Sequence, residues 1–508
     1  MPPPDHARDT DSSLIGALDL GSNSFHLILA RLVDEQVVVI DRLREPVRLG
    51  AGLGPDRRLD EETQQRALAC LERMGERLRG IEPDRLRIVG TNTLRRARNA
   101  REFIERAEAS LGHAIEVLPG LEEARLIYLG VAHATASDGE PRLVVDIGGG
   151  STEMILGRGF DIVFANSLAM GCVAFSTTYF AGGKIDAGTY AKAVVKARRE
   201  TFAVKKGYVD HGFDVAIGSS GTIRAIERIL RESGWSKGGI DAGGLEKLER
   251  AVIDAGNANK LDLPGLSEDR KPVLAGGLAV LSGIFAELGL DRMQPTWGAM
   301  REGLLYDLMG RLKHDDLREH TVARMEQRYA VDLAQARRVE RAARRLFEDV
   351  AGALKLGEEE SRFLSWAARL HEVGQAVRYG GYHRHGAYLI GESHLAGFSE
   401  GDQDLLSLLV LLHRRRLDVD LVKQKAPGRV KAALRLALLL RLAVDLCRGR
   451  GGAPVPRARL GCDDKGEEWT LTFEPAQLDR SPLLRADLEA EVEAFADVGV
   501  KLRLGESG

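Results

Sequence analysis

Short apolar and β-branched runs alternate with polar breaks near the start of the chain. The runs are LIGALDL from residue 14, HLILARLV from residue 26 and QVVVIDRLREPVRL from residue 36. Runs of this length with breaks between them are typical of strands. Residues 60–79 then place apolar side chains at helical spacing behind an acidic start. The pattern predicts a strand meander followed by a helix.

A second segment repeats this opening. RLVVDIGGGSTEMILGRG, from residue 142, predicts a strand, a tight turn and a strand, and FDIVFANSLAMG, from residue 160, predicts a third strand. In both segments an aspartate ends an apolar run and precedes glycine and small hydroxylated residues, as DLGSNSFH at 19–26 and DIGGGSTE at 146–153. We therefore predict two sheet domains of one topology, facing each other across a cleft.

Such turns are suited to binding phosphate. Glycine lets the backbone approach an anion closely, and successive N–H groups with Ser or Thr hydroxyls can cradle phosphate oxygens. Asp19 and Asp146 stand at the strand ends, where a Mg²⁺ or its waters can be held, and Glu153 lies on the strand after Asp146. Each turn alone fits an ordinary hairpin. The two together favour phosphoryl chemistry.

The second half of the chain changes character. From residue 312 onward long, charged stretches have helical periodicity, and after RGRGGAPVPRAR, at 448–459, strand and helix patterns predict a small α+β domain. The predicted domains are a disordered tail at 1–11, an α/β lobe I at 12–134, an α/β lobe II at 135–311, an all-α domain at 312–448 and a small α+β domain at 449–508.

Composition restricts the class of protein. With 44% hydrophobic and 29% charged residues and a net charge of −3, the chain has the balance of a soluble globular protein and gives no sign of nucleic-acid binding. The four cysteines form no CxxC pair, which suits a reducing compartment. The N-terminus lacks a signal-peptide pattern, and the most apolar stretch, 434–446, contains two arginines. We predict a cytoplasmic protein without an integral membrane segment; peripheral contact with the inner membrane stays open.

Five motifs occur in an order and spacing that resemble one known family. They are ALDLGSNSFHLILARL, GTNTLRRARN, GLEEARLIYLGV, VVDIGGGSTEMILG and AIGSSGTIRAI. The chain resembles the exopolyphosphatase and guanosine pentaphosphate phosphatase family, and the likeness continues through MREGLLYDLMGR into the helical region. The resemblance implies actin-like (ribonuclease H-like) lobes with a ligand cleft between them, and a helical domain similar to the HD phosphohydrolase fold.

The resemblance assigns phosphate binding to four loops. For Arg95 a solvated helix face is the alternative, and for the GSSGT loop the alternative is that it only closes the cleft. The loop residues are Gly21, Ser22, Asn23 and Ser24; Thr91, Asn92 and Arg95; Gly148, Gly149, Gly150, Ser151 and Thr152; and Ser219, Ser220, Gly221 and Thr222. In the family a glutamate of the EEAR motif orients and deprotonates the attacking water. Alignment places it at Glu123, with Glu122 as the alternative. Both carboxylates also suit the first turn of a helix.

The helical domain departs from the HD pattern. The His-Asp doublet reads His371-Glu372, and His383, His385, His394, His413 and Asp445 follow it. We expect a structural or substrate-binding domain without a tightly held transition metal, although the sequence leaves metal binding at His371-Glu372 open.

Residues 411–450 hold eleven Lys and Arg against three Asp. A solvated helix face is the ordinary explanation. Polyphosphate extends beyond a cleft that grips its end, so the alternative is a polyphosphate track. The track residues are Arg414, Arg415, Arg416, Lys423, Lys425, Arg429 and Lys431.

The function that these observations favour first is a processive, Mg²⁺-dependent exopolyphosphatase, with Mn²⁺ as a possible substitute and K⁺ stimulation left open. The alternative is a guanosine pentaphosphate (pppGpp) phosphohydrolase that gives ppGpp. A sugar or acetate kinase is disfavoured by the EEAR pair, and a non-catalytic alarmone sensor by the intact carboxylates. A homodimer is expected from the resemblance alone.

Overall fold

A computed structural model of the protein describes residues 14–33, 36–135, 139–312, 316–450, 455–463 and 465–506. The chain forms two compact units, residues 1–315 and 316–508. The tail predicted at 1–11 lies outside the described residues.

Lobe I of the first unit is a five-stranded sheet with helices. Its strands are β1 (Leu14–Leu20), β2 (Phe25–Val33), β3 (Gln36–Glu45), β4 (Leu86–Gly90) and β5 (Glu116–Val117). Its helices are α1 (Glu61–Leu78), α2 (Asn92–Arg96), α3 (Ala100–Leu111) and α4 (Gly120–Ala134). The strand order is β3-β2-β1-β4-β5. The helix predicted at 60–79 begins where the Asp60 carboxylate accepts a hydrogen bond from the Thr63 N–H, which caps α1.

Lobe II is a six-stranded sheet with a larger set of helices. Its strands are β6 (Pro141–Ile147), β7 (Thr152–Arg158), β8 (Asp161–Leu168), β9 (Val215–Ser219), β10 (Ile240–Asp241) and β11 (Arg292–Pro295). Its helices are α5 (Cys172–Tyr179), α6 (Ala187–His211), α7 (Ser220–Glu232), α8 (Ala242–Ala255) and α9 (Lys271–Leu288), and α10 (Met300–Leu312) follows the last strand. The strand order is β10-β11-β9-β6-β7-β8.

The two sheets share one plan, as the repeated sequence pattern predicts. In lobe I, β1, β2 and β3 form an antiparallel meander and β4 pairs parallel to β1. In lobe II, β6, β7 and β8 form the same meander and β9 pairs parallel to β6. The β1–β2 and β6–β7 turns therefore hold equivalent places in the two lobes.

Helix α10 returns from lobe II to pack against lobe I, although residues 300–311 are predicted as part of lobe II. Glycines permit this packing: a Cβ on Gly303 would lie 1.9 Å from the Leu126 carbonyl oxygen, and one on Gly130 would lie 2.1 Å from that of Ala299. Helices α4 and α10 thus meet backbone to backbone, and Leu304 and Leu308 join the core beneath α4 and β1.

A buried ion network fastens the same two helices. Asp307 on α10 accepts hydrogen bonds from Arg87 on β4 and from Arg125 on α4. Arg125 also donates to both oxygens of Glu122, at 2.8 and 2.7 Å. Because removal of one partner leaves a buried charge without compensation, such networks fix geometry strongly.

The second unit is mainly helical. Its helices are α11 (Leu317–Arg328), α12 (Leu333–Leu354), α13 (Glu358–Leu370), α14 (Tyr382–Glu392), α15 (Glu400–Leu412), α16 (Val419–Lys425), α17 (Val430–Leu446) and α18 (Pro482–Ala496). Its strands, β12 (Ala458–Cys462), β13 (Glu468–Phe473) and β14 (Lys501–Glu506), form one small sheet. The predicted border at 448/449 does not divide the core, because Trp469 and Phe495 belong to the same buried cluster as the α17 leucines.

Among the described helices, only α9 is long and apolar enough to cross a bilayer, and 72% of its apolar window is buried inside the protein. Its leucines and valines contribute to the lobe II core.

Candidate active site

The β1–β2 and β6–β7 turns line one cavity, together with residues of α2, α4, α7 and the start of α10. The predicted residues on its wall are Asp19, Gly21, Ser22, Asn23, Ser24, Thr91, Asn92, Glu123, Asp146, Gly148, Gly149, Gly150, Ser151, Ser220, Gly221 and Thr222. Side chains and loops from both lobes therefore meet around a common space.

Two glycines of the β6–β7 turn allow the loops to approach closely. A Cβ on Gly150 would lie 2.2 Å from Asn92 Oδ1, and one on Gly149 would lie 2.8 Å from the Cβ of Ser22. The Ser22 hydroxyl accepts a hydrogen bond from the Thr93 hydroxyl at 2.7 Å, which joins the first turn to α2. Larger side chains at these glycines would push the turns apart.

The GSSGT loop is backbone-strained at the cavity wall. Ser220, the first residue of α7, has φ +88°, a left-handed conformation that costs a non-glycine residue of the order of 1–3 kcal/mol. Neighbouring Ser219 is buried and donates its hydroxyl to the Gly298 carbonyl at 2.9 Å. The hydrogen bond of Ser219 anchors the loop from which Ser220, Gly221 and Thr222 line the cavity.

Strand register explains how the carboxylates converge. Asp146 on β6 lies opposite Glu153 on β7, and in lobe I Asp19 on β1 lies opposite His26 on β2. Residues opposite each other on an antiparallel pair project to the same face. The repeated hairpin thus gives a carboxylate pair in lobe II and a carboxylate–imidazole pair in lobe I.

Burial, together with repulsion between neighbouring carboxylates, raises the pKa values of three acids at the site. Burial, followed by the charge of Glu123, raises the pKa of Asp19 well above its usual range, while Arg301 offsets part of the rise. Burial raises the pKa of Asp146 to about 6, and the charge of Glu123 adds to the rise. Burial, Glu123 and Asp146 raise the pKa of Glu153. A cation or a phosphate-bound cation would relieve this repulsion.

Buried oxygens without hydrogen-bond partners also indicate a place for a cation. Asp19 Oδ1, Asn23 Oδ1 and Glu153 Oε2 are buried and have no hydrogen-bond partner. Within the described ranges, no three His, Cys, Asp or Glu side chains form a metal-binding group by themselves. Mg²⁺ is commonly held by one or two carboxylates, waters and substrate phosphates, so the residues fit a cation shared with a phosphate ligand.

The two glutamates of the EEAR motif have different surroundings. Glu123 lines the cavity, and one of its oxygens accepts a hydrogen bond from Arg95 Nη1 at 2.8 Å. Glu122, 0% exposed, instead pairs with Arg125 in the network with Asp307. Of the two carboxylates, only that of Glu123 is at the cavity wall.

Some predicted residues support the wall rather than form it. Arg95 is held by Glu123 and by the Leu118 carbonyl, at 2.6 Å, instead of facing the cavity. Thr152 donates its hydroxyl to the Met170 carbonyl at 2.6 Å. Glu153 accepts a hydrogen bond from Ser167 at 2.8 Å and is not among the residues that line the cavity. A phosphate contact by Arg95 would need Glu123 to release it.

The sequence motifs assigned no role to the arginines that line the cavity. Arg224 on α7, Arg270 before α9 and Arg301 on α10 line it, as does His26. Burial lowers the pKa of His26 to about 3, and Arg301 leads the arginines that lower it further, so its imidazole is neutral. Arg301 lies within MREGLLYDLMGR, which was recognised as a motif but assigned no role. The cavity is therefore lined by arginines as well as by carboxylates.

The residues of the predicted polyphosphate track lie in the second unit, and several have acidic partners there. Arg429 pairs with Asp402 at 3.0 Å, Lys425 with Asp404 at 2.7 Å, and Lys423 with Asp420 at 3.2 Å.

Arg414 packs over the Tyr382 ring, and the Arg415 carbonyl accepts a hydrogen bond from Arg441, while Arg416 and Lys431 are exposed. These contacts resemble an ordinary charged helix surface more than an open row of cations.

Three histidines of the HD-like pattern come together in the second unit. The ring centroids of His371 and His413 are 5.5 Å apart, and those of His383 and His413 are 6.3 Å apart. Glu372 forms an ion pair with Arg450, so a guanidinium already neutralises its charge. Asp445 pairs with Arg448 at 2.8 Å, and His394 is exposed.

Sequence profiles of known families match most of the chain. The profile of the Ppx/GppA phosphatase family matches residues 28–312, and that of Ppx/GppA phosphatase, domain III, matches residues 317–492. The second profile extends over both the predicted helical domain and most of the predicted α+β domain.

Similar proteins cover nearly the full length. The guanosine-5′-triphosphate,3′-diphosphate pyrophosphatase of Aeromonas hydrophila subsp. hydrophila is 36% identical, with 98% of this chain and 100% of that protein aligned. The protein of the same name from Vibrio vulnificus is 36% identical, with 96% of this chain and 97% of that protein aligned. An exopolyphosphatase from Cytophaga hutchinsonii matches in structure with a TM-score of 0.53 and 22% identity, over 58% of this chain and 97% of its own. This likeness shows the actin-like fold of the two lobes.

Proposed function

The chain belongs to the Ppx/GppA phosphatase family, and from that premise we propose that it hydrolyses pppGpp to ppGpp and orthophosphate. The observation that carries the substrate is the 36% identity, over nearly the whole of both chains, to proteins named for guanosine-5′-triphosphate,3′-diphosphate. The sequence motifs alone rank polyphosphate first. Full-length similarity favours pppGpp instead, and three of the seven predicted track residues pair with aspartates of the second unit.

Glu123 is the proposed general base. Its carboxylate lies at the cavity wall near the carboxylates of Asp19 and Asp146, and Arg95 fixes its orientation. It accepts a proton from water as the water oxygen bonds to the terminal phosphorus. The bond from that phosphorus to the bridging oxygen breaks, and the electron pair leaves with ppGpp. Glu122 is the less suited of the two, because it is fully buried and does not line the cavity.

Asp19, Asp146 and Glu153 are the proposed holders of Mg²⁺ or its waters, with Mn²⁺ as a substitute. Their raised proton affinities and the buried oxygens of Asp19 and Glu153 without partners support this assignment. When bound, the ion neutralises charge on the phosphate oxygens and polarises the terminal phosphoryl group. The loops around Ser22 and Gly149 supply N–H and hydroxyl donors for the same oxygens.

The arginines of the cavity supply the remaining positive charge. Arg224, Arg270 and Arg301 line the same cavity as the carboxylates, where their guanidinium groups can pair with phosphate oxygens of a polyanionic nucleotide. Neutral His26 adds no cationic charge and remains available as a hydrogen-bond partner.

The proposal predicts a substrate preference. Orthophosphate release from pppGpp, long-chain polyphosphate and ATP should be compared under one buffer with Mg²⁺. We expect kcat/KM for pppGpp to exceed that for the other two by at least about tenfold. A higher kcat/KM for polyphosphate than for pppGpp would restore the exopolyphosphatase assignment.

Several predictions from the sequence stay predictions. They are a cytoplasmic location, a homodimer, possible stimulation by K⁺, and a second unit without a tightly held transition metal.

A further inference from the structure

Trp297 is an exposed aromatic side chain next to Arg224, a residue of the cavity wall. It is 75% exposed, whereas Thr296 before it and Gly298 after it are buried. The Thr296 N–H donates to the Gly218 carbonyl at 2.9 Å, and the Gly298 carbonyl accepts the Ser219 hydroxyl at 2.9 Å. The backbone on both sides of Trp297 is thus tied to the GSSGT loop. The indole is displayed from a fixed segment rather than from a mobile one.

One face of this indole is already occupied by a cavity residue. The Arg224 guanidinium lies 4.7 Å from the ring centroid, within the range of a cation–π contact. Arg224 lines the cavity, and its Nε donates to the Ser220 carbonyl at 3.2 Å. Trp297 is therefore one contact away from the proposed phosphate site, and most of its remaining surface faces solvent.

A nucleotide bound with its 5′-phosphates in the cavity must place its base outside the phosphate loops. Aromatic side chains bind bases by stacking, and an adjacent arginine contributes charge toward the phosphates. An inorganic polyphosphate has no group that benefits from an exposed indole. We propose that Trp297 is the platform on which the purine base of the substrate stacks. This inference rests on the proposed function and adds to that function a residue that recognises the base.

The other tryptophans do not offer such a surface. Trp366 and Trp469 are fully buried, and Trp235 packs against the lobe II core. In the first unit, Phe202 on α6 is 68% exposed but does not line the cavity. Phe202 thus provides a matched control for the loss of an exposed aromatic side chain.

The test compares pppGpp and inorganic tripolyphosphate, which both end in a phosphoanhydride, in wild type, Trp297→Ala, Trp297→Phe and Phe202→Ala. Stacking of one base on an aromatic side chain contributes about 1–3 kcal/mol. We expect Trp297→Ala to raise KM for pppGpp about tenfold more than it raises KM for tripolyphosphate. Trp297→Phe should recover most of this difference, and Phe202→Ala should show none.

Fluorescence gives a second readout that does not depend on turnover. Titration with ppGpp should quench the emission of Trp297 in the wild type, and the quenching should disappear in Trp297→Phe. If Trp297→Ala raised KM for pppGpp and for tripolyphosphate by the same factor, the stacking platform would be wrong while the proposed function stood. Equal quenching by ppGpp in the wild type and in Trp297→Phe would have the same meaning. A wild-type enzyme that cleaves tripolyphosphate but neither pppGpp nor GTP would overturn the proposed function as well.

Discussion

Glu123→Gln is expected to lower kcat for pppGpp by about 10²–10⁴-fold while KM changes little. Glutamine keeps the size of the side chain and can still accept a hydrogen bond from Arg95, which lies 2.8 Å from the glutamate oxygen. It cannot take a proton from water, so the loss falls on the chemical step rather than on binding. Steady-state kinetics of orthophosphate release, with a binding titration of pppGpp, measure the two effects separately.

Glu122→Gln is the matched control, because it makes the same chemical change one residue away. Glu122 is buried against Arg125, so its neutralisation should weaken the network around Asp307 and lower the melting temperature. Its kcat should fall much less than that of Glu123→Gln. If the Glu123→Gln enzyme retained most of the wild-type kcat, the assignment of the base would be wrong. It would also be wrong if Glu122→Gln lowered kcat more than Glu123→Gln does.

Asp146→Asn is expected to lower kcat/KM on the order of 10²-fold and to shift the Mg²⁺ requirement to higher concentration. The substitution removes a negative charge from the wall that Asp146 shares with Asp19 and Glu123. Activity measured as a function of Mg²⁺, and separately of Mn²⁺, gives the apparent affinity for the ion. Excess chelator should abolish turnover of the wild type.

Asp186→Asn serves as the control for this substitution. Asp186 caps α6 by accepting a hydrogen bond from the Thr189 N–H, and asparagine is an equally good cap. Its Mg²⁺ curve should coincide with that of the wild type. An unchanged curve for Asp146→Asn, or full activity in chelator, would contradict the metal assignment.

Local pattern was sufficient to predict the parts of the site that each lobe builds from neighbouring residues. The apolar runs that end near residues 19 and 146 predict the hairpins, and the strand pairing then places Asp146 and Glu153 on one face. The same reasoning applied to the first hairpin would have identified His26, which lies opposite Asp19. The turn pattern itself gives no role to this histidine, because acidic, glycine and hydroxylated residues are what mark a phosphate-binding turn.

The rest of the site depends on contacts between distant segments. Arg301 reaches the cavity because α10 packs back on α4 through Gly303 and Gly130. The choice between Glu122 and Glu123 depends likewise on Asp307, more than 180 residues later, which holds the Arg125 partner of Glu122. No local periodicity encodes such pairings.

The basic run at 411–450 illustrates the same limit in the second unit. Counting charges along the segment suggests an unpaired surface, but Arg429 and Lys425 pair with Asp402 and Asp404 on α15. These two aspartates lie before the segment at 411–450, so a charge count within that segment does not include them. These ion pairs follow from the packing of α15 near Lys425 and Arg429, which the local sequence does not reveal.

The most direct test of the account is the identity of the product and of the bond that is cleaved. Hydrolysis of pppGpp in water enriched in oxygen-18 can be followed by phosphorus-31 NMR, which separates orthophosphate from pyrophosphate and reports the position of the label. The account predicts ppGpp and orthophosphate in equal amounts, with one new oxygen-18 in the orthophosphate and none in ppGpp. Release of pyrophosphate, label in the nucleotide, or no hydrolysis of pppGpp would contradict it.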